Sequence, residues 1–190
     1  MAKIKKNLRP PKEDYYLNIA KEISQRSTCF RVKIGAIIVK NDVIVATGYV
    51  GAPRKTKDCF EHGFCLRDKL NIPHGYRYEI CRSVHAEMNC LINAARSGIS
   101  VLGGDIYIYG EYLLPSPKKM DIYPCFICKK MIINAGLKRV ICSRAKGGYK
   151  IFNVDDMVKD WQRKDILDDR YQYGIDGNKN LIEKLKKIGK

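Results

Sequence analysis

Two short segments constrain this chain more than anything else in it: Val84-His85-Ala86-Glu87, and Pro124-Cys125-Phe126-Ile127-Cys128. Each opens a helical pattern. Residues 85–97 put Met88, Leu91, Ile92 and Ala95 on one face and stop at Gly98. Residues 125–135 do the same with Cys128, Met131, Ile132 and Ala135, entered through Pro124 and closed by Gly136. Cys125 and Cys128, three residues apart on a helix, share a face. A helix N-terminus favours their thiolate forms. With the His85 imidazole they make three ligands, so a tetrahedral zinc would keep a fourth position for water. Such an ion lowers the pKa of its water from about 16 towards about 7. Glu87 reaches the same place without ligating, as a proton shuttle. Either motif alone has several readings. Together, both at helix starts and with Pro124 ahead of the first cysteine, they are far more specific. The competing reading is a structural zinc with Glu87 as an ordinary first-turn glutamate.

The rest of the chain frames these segments. Residues 13–27 carry Tyr16, Ile19, Ala20 and Ile23 at helical spacing. Residues 32–39 and 43–50 are β-branched runs separated by Lys40, Asn41 and Asp42, which reads as a hairpin. From Gly51 to Val84 the chain is polar and cysteine-rich without a clear period, too long for a bare loop unless something organises it. Residues 104–110 and 137–143 read as strands, and 111–123 as a loop with two prolines. A last helix over 154–161 holds the single tryptophan, Trp161. Strands alternating with helices in the second half imply parallel pairing there, and the hairpin adds an antiparallel part. The expectation is an α/β fold in three layers: a mixed β-sheet flanked by helices on both faces. One domain spans 13–161, between a basic arm at 1–12 and a charged tail at 162–190.

Charge and cysteine content narrow the chemistry. The formal net charge is +16, with nine Lys or Arg against one acid, Asp121, between Lys118 and Lys150. The first twelve residues carry five positive charges and no negative one. That balance favours phosphate-bearing partners. No run of eighteen apolar residues is present, so no membrane partner is expected. The basic N-terminus lacks an apolar stretch with a cleavage site and reads as a loose arm, which makes the cytoplasm the expected location. Eight cysteines there point to metal or chemistry rather than disulfides. Cys59, Cys65 and Cys81 lie in the unperiodic segment and Cys29 lies at the end of the first helix. Four thiolates would make a closed, structural second zinc site and offset the loop's ordering entropy. His62 or His74 is an alternative ligand, and packing as small apolar residues is the competing reading. Packing is the adopted reading for Cys90 and Cys142, which fall on apolar faces.

H-x-E followed by P-C-x-x-C is also the signature of zinc-dependent nucleobase deaminases. Over residues 13–150, the stretches RSTCFRVKIGAIIVKNDVIVATGYVGAPR, CRSVHAEMNCLINAARSG and PCFICKKMIINAGLKRVI resemble the deoxycytidylate deaminase family of the cytidine deaminase-like superfamily. The resemblance implies a cytidine deaminase-like fold and hydrolytic deamination of dCMP, or a closely related pyrimidine nucleotide, to dUMP by a zinc-bound hydroxide. It implies His85, Cys125 and Cys128 as ligands of the catalytic zinc and Glu87 as the shuttle, with a second zinc near the Cys29 group as in some lineages. It further implies a homo-oligomer, often a hexamer, with dCTP and dTTP as effectors and Mg accompanying the triphosphate. It places Val50, Ala86 and Tyr149 at the nucleotide, and Arg54 is a candidate for the substrate phosphate or an effector, with a surface loop arginine as the competing reading.

Two departures bear on substrate. The family's Gly-Tyr-Asn-Gly is here Gly48-Tyr49-Val50-Gly51. Valine offers no hydrogen bond, and an unpaired sugar hydroxyl costs about 1–3 kcal/mol. The approach to Cys125, from Tyr109 through Tyr123, is an insertion without threonine, expected at the pocket mouth. Its Lys118 and Lys119 either meet a phosphate or are simply solvated. These departures keep open a zinc deaminase acting on another nucleotide or an RNA base; the two cysteine-rich sites and the +16 charge keep open a non-catalytic, zinc-stabilised nucleic-acid-binding protein. Against the latter, neither an aromatic-and-basic RNA platform nor zinc-finger spacing is present, and Glu87 would be unexplained.

Overall fold

The computed structural model describes residues 9–73, 77–114 and 116–163. Most of the arm at 1–12, His74 and nearly all of the tail at 162–190 lie outside the described residues. The elements run α1 (Lys12–Ser24), β1 (Val32–Lys40), β2 (Val43–Tyr49), α2 (Cys59–His62), α3 (Leu66–Lys69), a 3-10 turn (Tyr78–Ile80), α4 (Ala86–Arg96), β3 (Asp105–Tyr112), β4 (Lys118–Lys119), α5 (Phe126–Asn134), β5 (Arg139–Ser143), β6 (Tyr149–Asn153) and α6 (Val154–Arg163). None of these helices is long and apolar enough to cross a membrane.

The strands form one mixed sheet in the order β2-β1-β3-β5-β6, with β4 folded onto the end of β3. The hairpin turn at Asn41 and Asp42 takes positive φ at both residues, 51° and 61°, a twist that suits the flanking strands. β3 and β5 are parallel, as the alternation in the second half implies, and α5 makes the crossover between them. β6 is an addition to the expected order. It returns antiparallel to β5 through a tight turn that places Gly147 and Gly148 at φ 89° and 71°. The unperiodic segment 51–84 is not bare either. It contains α2, α3 and the 3-10 turn, none longer than four residues and so too short to leave a period in the sequence.

Alternation along the strands divides the interior into two layers. Ala36, Ile38, Ile106, Ile108, Val140 and Cys142 face α4, α5 and α6. Ile37, Val39, Tyr107, Tyr109 and Ile141 face α1. The expected three-layer arrangement, a sheet with helices on both faces, is therefore the observed one.

Two glycines in the hairpin let the helices lie this close. A Cβ at Gly35 of β1 would stand 2.1 Å from the Ala20 carbonyl oxygen in α1. A Cβ at Gly48 of β2 would stand 2.3 Å from the Cys90 amide nitrogen and 2.4 Å from the Ala86 carbonyl oxygen in α4. Both contacts are with backbone, which no rotamer change relieves. Gly48→Ala should therefore destabilise the protein by about 1–3 kcal/mol, the usual range for overpacking. At roughly 2–4 °C per kcal/mol, a thermal melt should show the loss, and an unchanged Tm would contradict the packing of α4 on β2.

Candidate active site

The N-terminus of α4 is tied to the end of β2 by backbone and side chains. Gly51 and Val84 exchange two backbone hydrogen bonds, of 3.2 and 2.8 Å, immediately before His85. The Asn89 amide donates to the Tyr49 carbonyl at 2.8 Å, and the Asn93 amide donates to the Thr47 carbonyl at 2.7 Å. The approach to α5 is pinned to the sheet as well. Met120 N–H donates to the Gly110 carbonyl and Ile122 N–H to the Ser143 carbonyl, so the chain runs across the ends of β3 and β5 into Pro124 and Cys125. His85 and Cys125 each stand at the residue preceding the first turn, in extended backbone conformation.

These two helix starts meet. His85 Nδ1 lies 3.3 Å from Cys125 Sγ and 3.4 Å from Cys128 Sγ. The three ligand atoms all lie within 4.8 Å of one another, and no other such group occurs among the described residues. A tetrahedral zinc with bonds of about 2.3 Å to sulfur and 2.0 Å to nitrogen holds those atoms about 3.6 Å apart. The donor set and its spacing therefore fit a zinc ion. Glu87 is 6% exposed and contacts the Cys128 thiol.

The electrostatics follow from crowding ionisable groups out of water. Burial pushes the Glu87 carboxyl above its ordinary range, against the opposing charge of His85. Burial also disfavours the His85 imidazolium, but its contact with Cys125 and the charge of Glu87 outweigh that and raise its pKa. The two thiols share one charge. Cys125 is lowered to about 4, mainly by the Cys128 thiol donating to it, with His85 adding to the effect against burial. Cys128 is correspondingly pushed up by Cys125 and by burial. Such a cluster holds one thiolate and an elevated carboxylate beside it, while a bound divalent ion deprotonates coordinating thiols outright.

Of the other expected residues, Ala86 is fully buried in the first turn of α4. Val50 is buried, its N–H on the Ile34 carbonyl and its carbonyl on Thr28 N–H, one residue from the bridge that leads to His85. Arg54 donates to Asn93 Oδ1 at 2.6 Å, on the same tether. Tyr149 is not brought to the cluster. It lies on β6 opposite Ser143, and it packs against the apolar cluster on the α1 face of the sheet. The reason is the strand period: with 149–153 pairing as a strand, Tyr149 takes the face opposite that of Cys142 and Lys150. Lys118 and Lys119 are exposed on β4. Cys90 and Cys142 are fully buried in the apolar layer, as their sequence positions suggest. Cys29, Cys59, Cys65 and Cys81 are electrostatic neighbours, but no three of their sulfurs lie within 4.8 Å of one another. Asn89 and Asn93 were not legible as site-building residues. Their signal was two amides four apart on the flank of an otherwise apolar helix.

Comparison with known proteins agrees with this geometry. Residues 10–144 match the cytidine and deoxycytidylate deaminase zinc-binding region. The chain is 33% identical over 138 residues to the deoxycytidylate deaminase of Mycobacterium phage D29, covering 70% of this chain and 94% of that protein. It is 30% identical over 133 residues to the deoxycytidylate deaminase of Schizosaccharomyces pombe, covering 70% of this chain but 37% of the relative. The chain thus spans well under half the length of that yeast protein. Among solved structures, the dCMP deaminase of cyanophage S-TIM5 in complex with dCMP and dUMP superposes with a TM-score of 0.50 at 29% identity, over 70% of this chain and 82% of that one. Cytidine deaminase from Burkholderia pseudomallei, at 19% identity and a TM-score of 0.51, shares the fold. With the matched region covering both helix starts and the hairpin, this chain belongs to the cytidine and deoxycytidylate deaminase family.

Proposed function

We infer that the protein hydrolytically deaminates dCMP, or a closely related pyrimidine nucleotide, to the uracil nucleotide. The single observation that carries this is the buried Glu87 carboxyl beside the convergent His85, Cys125 and Cys128. A purely structural zinc site has no use for a carboxylate held out of water at its edge. The S-TIM5 relative, solved with dCMP and dUMP, supports the substrate.

His85, Cys125 and Cys128 would hold the zinc, which when bound supplies Lewis acidity that makes water a nucleophile near neutral pH. Glu87 takes the proton released as the water oxygen bonds to C4 of the ring. It passes that proton to N3, and C4 becomes tetrahedral. Glu87 then takes the second hydroxyl proton and gives it to the exocyclic amine. The C4–N bond breaks, ammonia leaves, and the ring carbonyl forms. An elevated Glu87 pKa suits a group that must both accept and return a proton. The Gly51–Val84 bridge and the Asn89 and Asn93 tethers keep α4 fixed while this happens.

One observation favours a second substrate. Val50 is buried beside the site where the family has asparagine, so the sugar is recognised differently here or the nucleotide is different. Ammonia release from a panel of nucleotides separates the cases: rapid turnover of another nucleotide with none of dCMP would replace dCMP as substrate.

The proximity of Cys29, Cys59, Cys65 and Cys81 supports a second, structural zinc, reached by small movements of the 59–81 segment. Residues 13–161 would then form the catalytic domain, with the basic arm and the charged tail as appendages.

Two measurements check these assignments. Glu87→Gln should keep its zinc and lose roughly 10²–10⁴-fold in kcat. A near-normal rate would remove the shuttle. Cys65→Ser should fall from two zinc ions per chain to one and melt at a lower temperature. Equal metal content and equal Tm in both proteins would eliminate the second site.

A further inference from the structure

Arg67, in α3, is 4% exposed. A guanidinium taken out of water needs compensating contacts. One of its contacts, that with Tyr78, leads towards the metal cluster. Its Nη2 donates to the Pro73 carbonyl at 2.7 Å, and its guanidinium carbon lies 4.6 Å from the centroid of the Tyr78 ring. The Tyr78 ring packs perpendicular to the His85 imidazole, with centroids 5.3 Å apart and planes at 89°. Cation, phenol ring and candidate metal ligand thus form one continuous stack.

The placement is bracketed. Cys65 precedes Arg67 by two residues and Cys81 follows Tyr78 by three. The segment that looked like an unorganised loop therefore feeds two specific side chains into the back of the candidate zinc site. The cysteines define its two ends.

A histidine that ligates a metal must hold its ring plane as well as its position, and a partner on the far side of the ring commonly does this. The perpendicular aromatic contact constrains both: it prefers one tilt and one offset. A cation over the phenol ring holds that ring in turn, at a strength that rises as the pair leaves water. Resting on His85 as a zinc ligand, we propose that Arg67 and Tyr78 are positioning residues for the metal centre. Tyr78 holds the His85 imidazole with Nδ1 towards Cys125 and Cys128, and Arg67 holds Tyr78. They act on another side chain rather than on the nucleotide, and their effect on turnover passes through His85.

Zinc affinity tests this independently of activity. Purified full-length protein is challenged with a graded chelator series, and zinc released per chain is measured alongside kcat and KM for dCMP. Tyr78→Leu keeps apolar bulk in the segment but removes the flat ring. It should lose one zinc equivalent at 10–100-fold weaker chelation, the usual size of an outer-shell effect, with kcat falling more than KM changes. Tyr78→Phe, which keeps the ring, should recover most of both losses. Arg67→Gln should shift both in the same direction as Tyr78→Leu, by a smaller factor. A second metal site would release as a separate, unshifted step. Parent-like zinc release in Tyr78→Leu, or a Tyr78→Phe no better than Tyr78→Leu, would overturn the proposal. An inactive parent would sink the deaminase assignment instead, and the zinc comparison would still decide whether Tyr78 orients His85. Should Tyr78→Leu not fold, the comparison of Arg67→Gln with the parent carries the same test: parent-like release there overturns it.

Discussion

Two helix starts must arrive at one point, and the chemistry of this protein depends on that constraint. His85 and Cys125 are forty residues apart in sequence and 3.3 Å apart in space. Neither helix could be placed by its own periodicity. α5 is placed by the crossover between the parallel strands β3 and β5, while the chain before it is stitched to Gly110 and Ser143. α4 is placed by its packing on β2, where Gly48 leaves room for its backbone, and by the Gly51–Val84 bridge. Loosening either attachment would move a ligand by more than a metal tolerates.

Burial then decides the acid–base character of the site. A carboxyl, an imidazole and two thiols crowded out of water cannot all keep their ordinary protonation states. Burial moves Glu87 up, and the paired sulfurs divide a single charge between them. A divalent cation is the species that relieves this crowding, since it favours the deprotonated form of every neighbour at once: neutral imidazole, thiolate and carboxylate. Fold, donor set and proposed proton shuttle are thus one arrangement: the sheet positions the helices, and the helices bring His85, Cys125, Cys128 and Glu87 together where a metal fits.

Much of this was legible in the chain, and the failures have identifiable causes. The helices at 85–97 and 125–135 and the hairpin were readable because their apolar residues repeat at the period of the element and glycines end the helices. β6 was missed because five residues facing a half-exposed sheet edge give too little alternation, and its real signal was the Gly147-Gly148 turn before it. The face that Tyr149 takes was not readable either, because its pairing with β5 sets it. α2 and α3 were invisible because a single helical turn has no period. Arg67 and Tyr78 were passed over for the same reason, although each lies within three residues of a cysteine that had been singled out.

By itself the sequence determined the chemistry available: the ligand types, their local spacing on two helix starts, the glutamate between them, and the layered α/β pattern that could carry them. Those properties are short-range, written in intervals of two to four residues, which is the distance over which backbone geometry is predictable. Only the tertiary structure decided which distant groups share a site. It joined His85 to Cys125 and Cys128, tied Asn89 and Asn93 to β2, set Tyr78 against His85, and put Tyr149 on the α1 face of the sheet. Each of those relations depends on strand register and on helix placement over a sheet. Contacts across many tens of residues settle both together, and no local pattern encodes them.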